Sequence, residues 1–359
     1  MRKAVLLILV LLSSHPLGAA VLPAGVAAQS SPAYRGEWTA DTYNTWRGDD
    51  DEPRVQFNLH TAGDSQWGFG IRMRDLVGLS PAAAANVARD VQFTWTRAAG
   101  TFRFTGSFDN GRGSGTFAFT PDQSFVAGMA SAGYRDLTAH QIVRMAVSDV
   151  TLAHVRGLAQ AGYNGASADD MIRTRMHRVT PEFVRDLAAV GYKGIALDDL
   201  VRMAIHKATP ENIRELQAQG IRGLSVDQLI RYRIHKVTPE FIRALESRGY
   251  KGVPSEDLVR MRIHKVSPEE IDSLKALGFA GMTVNQLVQF RIHKVTPEFI
   301  RSMRDVGFTT ASEQQLVNMR IHKVDALFVR HAREDGLSVA TPQEAVSLAI
   351  HGPRYRKRR

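Results

Sequence analysis

Histidine recurs at a fixed interval along the C-terminal part of the chain, where it could bind metal or transfer protons. The repeated positions are 29 residues apart, at His177, His206, His235, His264, His293, His322 and His351. Equivalent atoms of packed helices lie roughly 8 to 10 Å apart, whereas zinc holds nitrogen ligands about 2 Å away. Neighbouring histidines are therefore not expected to share one ion. We favour a structural role over a metal or catalytic one, and no metal site is predicted.

Arginine flanks these histidines and could recognise negative charge. The candidate partner-binding stripe comprises Arg231, Arg233, His235, Arg260, Arg262, His264, Arg291, His293, Arg320 and His322. Such a stripe would attract an anionic partner. The alternative, which we favour, is that the arginines are solvated or pair with acidic residues of the first helices, such as Glu240 and Glu269.

Motifs of several common enzyme classes are absent from the sequence. It contains no His-Glu-x-x-His, no Gly-x-Ser-x-Gly, no Walker lysine loop and no cysteine, so we predict neither an enzyme nor a cofactor. The acidic run Asp49-Asp50-Asp51-Glu52 could hold calcium, but such runs are usually solvated. Trp38, Trp46 and Trp67 could line a ligand surface, although core packing is the commoner role of tryptophan.

The histidines belong to a repeat whose segment RIHKVTPEFIR occurs twice, beginning at Arg233 and at Arg291. Each unit predicts two short helices with matching start and stop signals. The first helix follows a Thr or Ser cap with Pro at its first position and ends at Gly, as from Thr238 to Gly249. The histidine and the lysine after it fall in the last turn of the second helix, where they complement the helix dipole.

The second helices have caps of their own, except where Ala196 and Pro254 break the pattern. Those two helix starts should be less firmly held. Helices this short are marginal alone, so about eight units over residues 122–351 predict a stacked α-solenoid.

The N-terminal region has a different hydrophobic period. Between residues 34 and 120, stretches such as VQFTWT and GTFAF alternate apolar and polar residues, which is typical of antiparallel strands. We predict an α+β multidomain protein: a small β-sandwich or meander of five to seven strands, followed by the solenoid.

The two ends of the sequence carry much of its charge. Residues 1–28 read as a secretory signal peptide, and residues 352–359 form a basic tail. Of the formal charge of +10, the tail supplies five positive charges and the N-terminal segment supplies two. The net charge that remains for the folded body is ordinary for its length. We therefore expect an exported protein, periplasmic or secreted, with no nucleic-acid partner and no membrane segment after cleavage.

The unit RIHKVTPEFIRALESRGYKGVPSEDLVRM resembles helical repeats of envelope proteins from Acidobacteria and Gemmatimonadetes, and GTFRFTGSF and GTFAFTP resemble the segment before those repeats. There the repeats often follow the membrane-embedded metallopeptidase domain of antirepressors related to β-lactam sensors. That peptidase is missing here, so the resemblance implies an envelope location and a sensing role, with no catalytic residue.

From these features we expect a non-enzymatic binding or scaffold protein that engages another envelope protein. One alternative is a sensor of an anionic small molecule or cell-wall fragment, and another, less favoured, is an unrecognised hydrolase in the β-domain.

Overall fold

The computed structural model describes residues 34–42, 54–61 and 66–352. Its contacts divide the chain into two compact units, one ending at Val147 and the other beginning at Ser148. The predicted signal peptide, the run Asp49–Glu52, Trp46 and the basic tail from residue 353 lie outside the described residues.

The first unit contains a six-stranded antiparallel sheet, so the meander prediction is confirmed. Its strands are β1 Tyr34–Asp41, β2 Arg54–Thr61, β3 Gln66–Arg72, β4 Ala88–Arg97, β5 Gly100–Asp109 and β6 Arg112–Pro121. The order is β3-β2-β1-β6-β5-β4, with β1 bonded to β6, so two three-stranded meanders join along their first and last strands. A 3₁₀ turn at Met73–Asp75 and helix α1 (Pro81–Ala85) connect the two edge strands.

Aromatic side chains fill the inner face of this sheet. Alternation along the strands directs them to one side, where Trp38, Phe57 and Phe104 have at most 1% of their surface exposed. The sheet curls enough that Phe69 of β3 stacks on Trp95 of β4, with ring centroids 5.3 Å apart, although these strands are the two edges.

The rest of the described chain is helical. The helices are α2 Gln123–Ser131, α3 Ala139–Val147, α4 Leu152–Leu158, α5 Ala168–Met176, α6 Pro181–Ala189, α7 Leu197–Ile205, α8 Pro210–Ala218, α9 Val226–Ile234, α10 Pro239–Glu246, α11 Ser255–Ile263, α12 Pro268–Ala276, α13 Val284–Ile292, α14 Pro297–Asp305, α15 Glu313–Ile321, α16 Ala326–Glu334 and α17 Pro342–His351. A π-helical turn at Ala159–Tyr163 continues α4. These sixteen helices form the eight predicted pairs, of which α2 and α3 group with the sheet in the first unit.

The capping signals act as the repeat pattern predicts. The Thr238 side chain accepts a hydrogen bond from the Phe241 backbone, and Ser225 and Gln228 form a reciprocal capping box. Ala196 and Pro254 make no side-chain cap bond. Four orphan N–H groups begin every helix, so each missing cap leaves one of them to another partner.

In the second unit, nearly every helix packs against the helix two positions further along the chain, as α7 does on α9 and α10 on α12. First helices therefore stack on first helices and second helices on second helices, which gives the two layers of an α-solenoid. Tyrosines that follow the glycine stops add a bond between repeats, as where the Tyr192 hydroxyl donates to the Leu224 carbonyl at 2.7 Å. Among the helices that the structure describes, none combines the length and the hydrophobicity that a membrane span requires.

Candidate interaction surface

A row of exposed apolar side chains runs along the turns that join successive helix pairs. The same repeat position carries Met176, Ile205, Ile234, Ile263, Ile292, Ile321 and Ile350, all between 46% and 61% exposed. Isolated exposed apolar residues are ordinary on protein surfaces. An aliphatic side chain exposed at the same place in seven successive repeats is a recurring surface feature instead.

A lysine stands two residues beyond most of these isoleucines, in an unusual backbone conformation. Lys207, Lys236, Lys265, Lys294 and Lys323 have φ between 55° and 58°. This left-handed region costs a side-chain-bearing residue roughly 1–2 kcal/mol. Here the left-handed lysine ends the helix, because the N–H of the residue after it donates back to a carbonyl inside the helix. The Val266 N–H, for example, donates to the Met261 carbonyl at 2.8 Å.

These five lysines are exposed, and none of them forms a salt bridge among the described residues. Nearby glutamates at the starts of the first helices are already paired: Glu182, Glu211, Glu240 and Glu298 each bind the arginine three residues further on. We call the seven apolar positions and the five lysines the Ile–Lys row. It offers aliphatic surface and unpaired positive charge together.

Two of the predicted stripe arginines lie among acidic and amide groups of the second helices. Arg231 binds Glu256 of the next repeat at 2.6 Å. Arg260 binds Asp257 at 2.8 Å and Asn285 of the next repeat at 2.8 Å. These partners differ from Glu240 and Glu269, because the second helices stack directly on one another and bring the start of one beside the middle of the previous one.

Three other stripe arginines reach back to the preceding repeat. Arg262, Arg291 and Arg320 donate through Nε to the backbone carbonyls of His235, His264 and His293, at 3.0 to 3.2 Å. These carbonyls end the previous second helix, so the cation lies at the negative end of a helix dipole. The arginines of this group therefore hold repeats together.

Each of these arginines also covers a particular side chain on the first helix of its own pair. The guanidinium of Arg262 lies 4.8 Å from the centre of the Phe241 ring, and that of Arg320 lies 4.9 Å from the Phe299 ring. Arg291 instead forms an ion pair with Glu270 at 3.2 Å. Burial raises the pKa of Glu270, and the charge of Arg291 opposes that rise.

Arg233 differs from its equivalents. It is exposed, and its side chain makes no hydrogen bond, ion pair or ring contact with the described residues. It lines a cavity of about 210 Å³ together with Asn212, Leu216, Leu229 and Tyr232. The sequence placed Arg233 in the stripe, but nothing in the arginine spacing predicted the cavity.

The stripe histidines are spread along the junctions, one to each repeat. His235, His264, His293 and His322 are the C-cap residues of their helices. His293 also shares a 3.1 Å hydrogen bond with Gln289 of its own helix. Within the described part of the chain, no group of three or more histidine or acidic side chains is placed to hold a metal ion.

The tryptophans of the first unit have separate environments. Trp38 is fully buried and donates through Nε1 to the carbonyls of Thr105 and Thr116, so it belongs to the core. Trp67 is half-buried, and its ring centre lies 6.1 Å from that of Tyr34 and 5.2 Å from that of His140. Trp38 also lies 5.6 Å from the Phe57 ring, so Trp38 and Trp67 both lie among packed aromatic residues.

The exposed isoleucines and the left-handed lysines were missed by sequence reasoning, although they lie beside the stripe histidines. The signal that could have found them is the 29-residue recurrence of Ile-His-Lys as a triplet. Comparisons with models of known protein families and with curated proteins found no match for this chain. The resemblance to envelope proteins with helical repeats therefore stays a prediction.

Proposed function

We propose that the chain is an exported, non-enzymatic binding or scaffold protein whose helical repeats engage another protein of the cell envelope. The observation that carries this proposal is the Ile–Lys row. A surface that repeats one aliphatic and one cationic group per unit suits an elongated partner with apolar and acidic side chains. Because both groups lie at junctions, each added repeat lengthens the surface without altering the core.

The energetics of the row fit such a role. Burying a whole isoleucine side chain gives about 1.5–3 kcal/mol, so covering its exposed half gives about 1 kcal/mol. Several such contacts are needed to offset the entropy lost on association. The lysines would chiefly accelerate encounter and select for negative charge.

A protein partner is favoured over an anionic small molecule by the state of the arginines. Arg231, Arg260, Arg262, Arg291 and Arg320 are already bound to carboxylates, amides, carbonyls or aromatic rings of the chain itself. A small anion would have to compete with those contacts. The lysines of the row have no such contacts with the residues that the structure describes, but they are distributed along the surface at one per repeat.

The test is a crosslinking pull-down from envelope extract with the full chain, followed by measurement of the affinity for the recovered protein. We expect the triple substitution Ile234→Ser, Ile263→Ser and Ile292→Ser to weaken binding by about 10-fold or more, because three aliphatic contacts are lost. The pair Lys236→Glu and Lys265→Glu should slow association.

The matched control is the pair Lys193→Glu and Lys251→Glu, which makes the same charge change at exposed turns outside the row. It should leave affinity within about 2-fold of the unsubstituted chain, since exposed charges away from a contact are screened. Equal losses in both pairs would point to general charge attraction, and no loss in the isoleucine variant would remove the row from the interface.

A further inference from the structure

The cavity beside Arg233 arises from one departure in an otherwise regular series. In three repeats of the second unit, a residue of the first helix lies beneath the arginine 21 positions later on the following second helix. The pairs that carry arginine are His154 with Arg175, Asn212 with Arg233, Phe241 with Arg262, Glu270 with Arg291 and Phe299 with Arg320. All except Asn212 place a ring or a carboxylate at this point.

Asn212 leaves the space open because its side chain turns away. Its Oδ1 accepts hydrogen bonds from the backbone and hydroxyl groups of Thr209, at 3.4 and 3.3 Å, as part of a capping box. The floor that remains is apolar and buried, and includes Ile213, Leu216 and Leu229. Arg233 stands at the rim without the ring that its equivalents cover.

We propose that this cavity, which we call the Asn212 pocket, receives an aromatic side chain of the partner protein, with Arg233 closing over the ring. The chain itself shows the geometry, since Phe241 and Phe299 occupy the equivalent site beneath Arg262 and Arg320 and are only 7% and 8% exposed. The inference rests on the proposed function, because it names the anchor by which a protein partner of the solenoid is held.

The size of the pocket agrees with this occupant. Its volume is about 210 Å³, and an apolar cavity of about 150 Å³ is enough to bind benzene. Aromatic anchors in apolar pockets are the commonest centres of binding energy in protein interfaces. A cation over the ring adds to this attraction, as in the two intact pairs.

The first experiment uses N-acetylphenylalanine amide as a probe of the full chain, followed by the methyl NMR signals of Leu216 and Leu229. We expect saturable shifts with a Kd in the millimolar range, on the order of that for a ligand of this size. N-acetylleucine amide should bind more weakly, because it lacks the ring. Arg233→Ala should weaken binding of the aromatic probe about 2- to 5-fold. Arg262→Ala should leave probe binding unchanged, because Arg262 covers a ring of the chain itself.

The decisive variant is Asn212→Phe, which places in the pocket the residue that Phe241 supplies in its own repeat. It should remain folded, because Thr238 caps its helix with phenylalanine at the same position, and it should abolish probe binding. Phe299→Asn is the reciprocal variant: it should create a second probe site beneath Arg320. Unchanged probe binding in Asn212→Phe would overturn the pocket assignment.

A second experiment separates a partner's side chain from a free aromatic molecule. Random displayed peptides are selected on the full chain and then tested on Asn212→Phe. Peptides that share one aromatic residue and lose binding to Asn212→Phe support the proposal. Selected peptides without an aromatic residue would overturn it, even where the free probe binds the pocket.

The same peptides distinguish this proposal from the proposed function. Binding that survives Asn212→Phe but is lost in Lys236→Glu with Lys265→Glu would overturn the pocket and leave the Ile–Lys row standing. Binding unaffected by either change would count against both.

Discussion

Single residues decide where the surface of the solenoid departs from its core pattern. First helices stop at glycine, as at Gly249 with φ of 100°, whereas second helices stop at lysine in the left-handed region. Glycine adopts that conformation at little steric cost. Glycine would end the second helices at a lower steric cost than lysine does. The presence of lysine there therefore indicates a use for its side chain, which agrees with a binding role for the row.

This reasoning predicts opposite effects on stability and on binding. Lys265→Gly removes the steric cost of the left-handed conformation, and we expect the free energy of unfolding to rise by about 0.5–1 kcal/mol. Binding to the partner should weaken, because one cation of the row is lost. Urea unfolding and a titration with the partner measure the two effects.

The control for this prediction is Lys251→Gly, at an exposed position with ordinary φ. It should destabilise slightly, since glycine there only adds freedom to the unfolded chain. A Lys265→Gly variant that was less stable and bound its partner normally would contradict the functional explanation of the lysines.

A buried histidine gives the second unit a defined pH response. His154 is 4% exposed, and its Nε2 lies 2.9 Å from the Thr174 hydroxyl. That hydroxyl already donates to the Met171 carbonyl, so its oxygen accepts from His154, while Nδ1 is buried with no partner in the described part of the chain. Burial and the charge of Arg175 lower the pKa of His154 to about 4, although Glu182 and Asp149 oppose this.

Stability should therefore fall in acid. The unfolded histidine takes up a proton near pH 6.5 and the folded one only near pH 4, so the contribution is complete above pH 6.5 and is lost as pH falls to 4. The loss is about 3 kcal/mol of the free energy of unfolding. Urea titrations across this range measure it.

His154→Phe introduces the phenylalanine that other repeats have at the equivalent position, as at Phe183 and Phe241. This variant should remove the loss of stability between pH 6.5 and pH 4. His206→Gln, which changes an exposed histidine, should keep the profile. Parallel profiles for the native chain and His154→Phe would show that another group is responsible.

At the scale of the helices, most of the architecture could be predicted because the signals are local. Thr238, Pro239 and Gly249 fix the start and end of one helix whatever its neighbours do. The exposure of a side chain, by contrast, depends on how the neighbouring repeats pack. Ile234 lies four residues after the buried Ile230, a spacing that favours burial, but the helix ends at Ile234 and the stacked repeats leave it half uncovered.

The missing cap of α7 gives a prediction at this scale. Ala196→Ser would place a hydroxyl at the N-cap with Asp199 three residues on, the arrangement already formed by Ser167 and Asp170. We expect the free energy of unfolding to rise by about 1 kcal/mol, because an orphan N–H gains a partner. Urea unfolding measures the change.

Thr283→Ala, which removes an existing cap, should lower the free energy of unfolding by a similar amount. If Ala196→Ser had no effect while Thr283→Ala destabilised, the start of α7 would already be satisfied by another group.

Across the whole second unit, the repeats are similar in backbone but not in chemistry, and this limits what the period can predict. One position, 29 residues apart, holds Arg173, Arg202, Arg231 and Arg260 and then Gln289 and Asn318. The period predicts that these side chains lie in one line. It does not reveal that the Asn212 pocket opens in one repeat, because that depends on a side chain turning back to Thr209.

The change from arginine to glutamine and asparagine at this repeat position predicts that salt destabilises the early repeats more than the late ones. Early junctions are ionic: Arg173 binds Asp198, Arg202 binds Asp227 at 2.6 Å, and Arg231 binds Glu256. Later polar contacts on the same face are between neutral groups, as from Gln314 to Asn318. Exposed pairs contribute about 0.2–1 kcal/mol each and are screened by salt.

We therefore expect amide hydrogen exchange in α5 to α9 to become about 2- to 5-fold faster between 0.1 and 1 M sodium chloride, while exchange in α13 to α17 changes little. In a solenoid each repeat contacts only its neighbours, so such a difference persists along the chain. Asp227→Asn should remove the salt response around α7 and α9 alone. A uniform response in all repeats would instead mean that the unit opens as one cooperative body. The ionic junctions would then not determine the stability of the individual repeats.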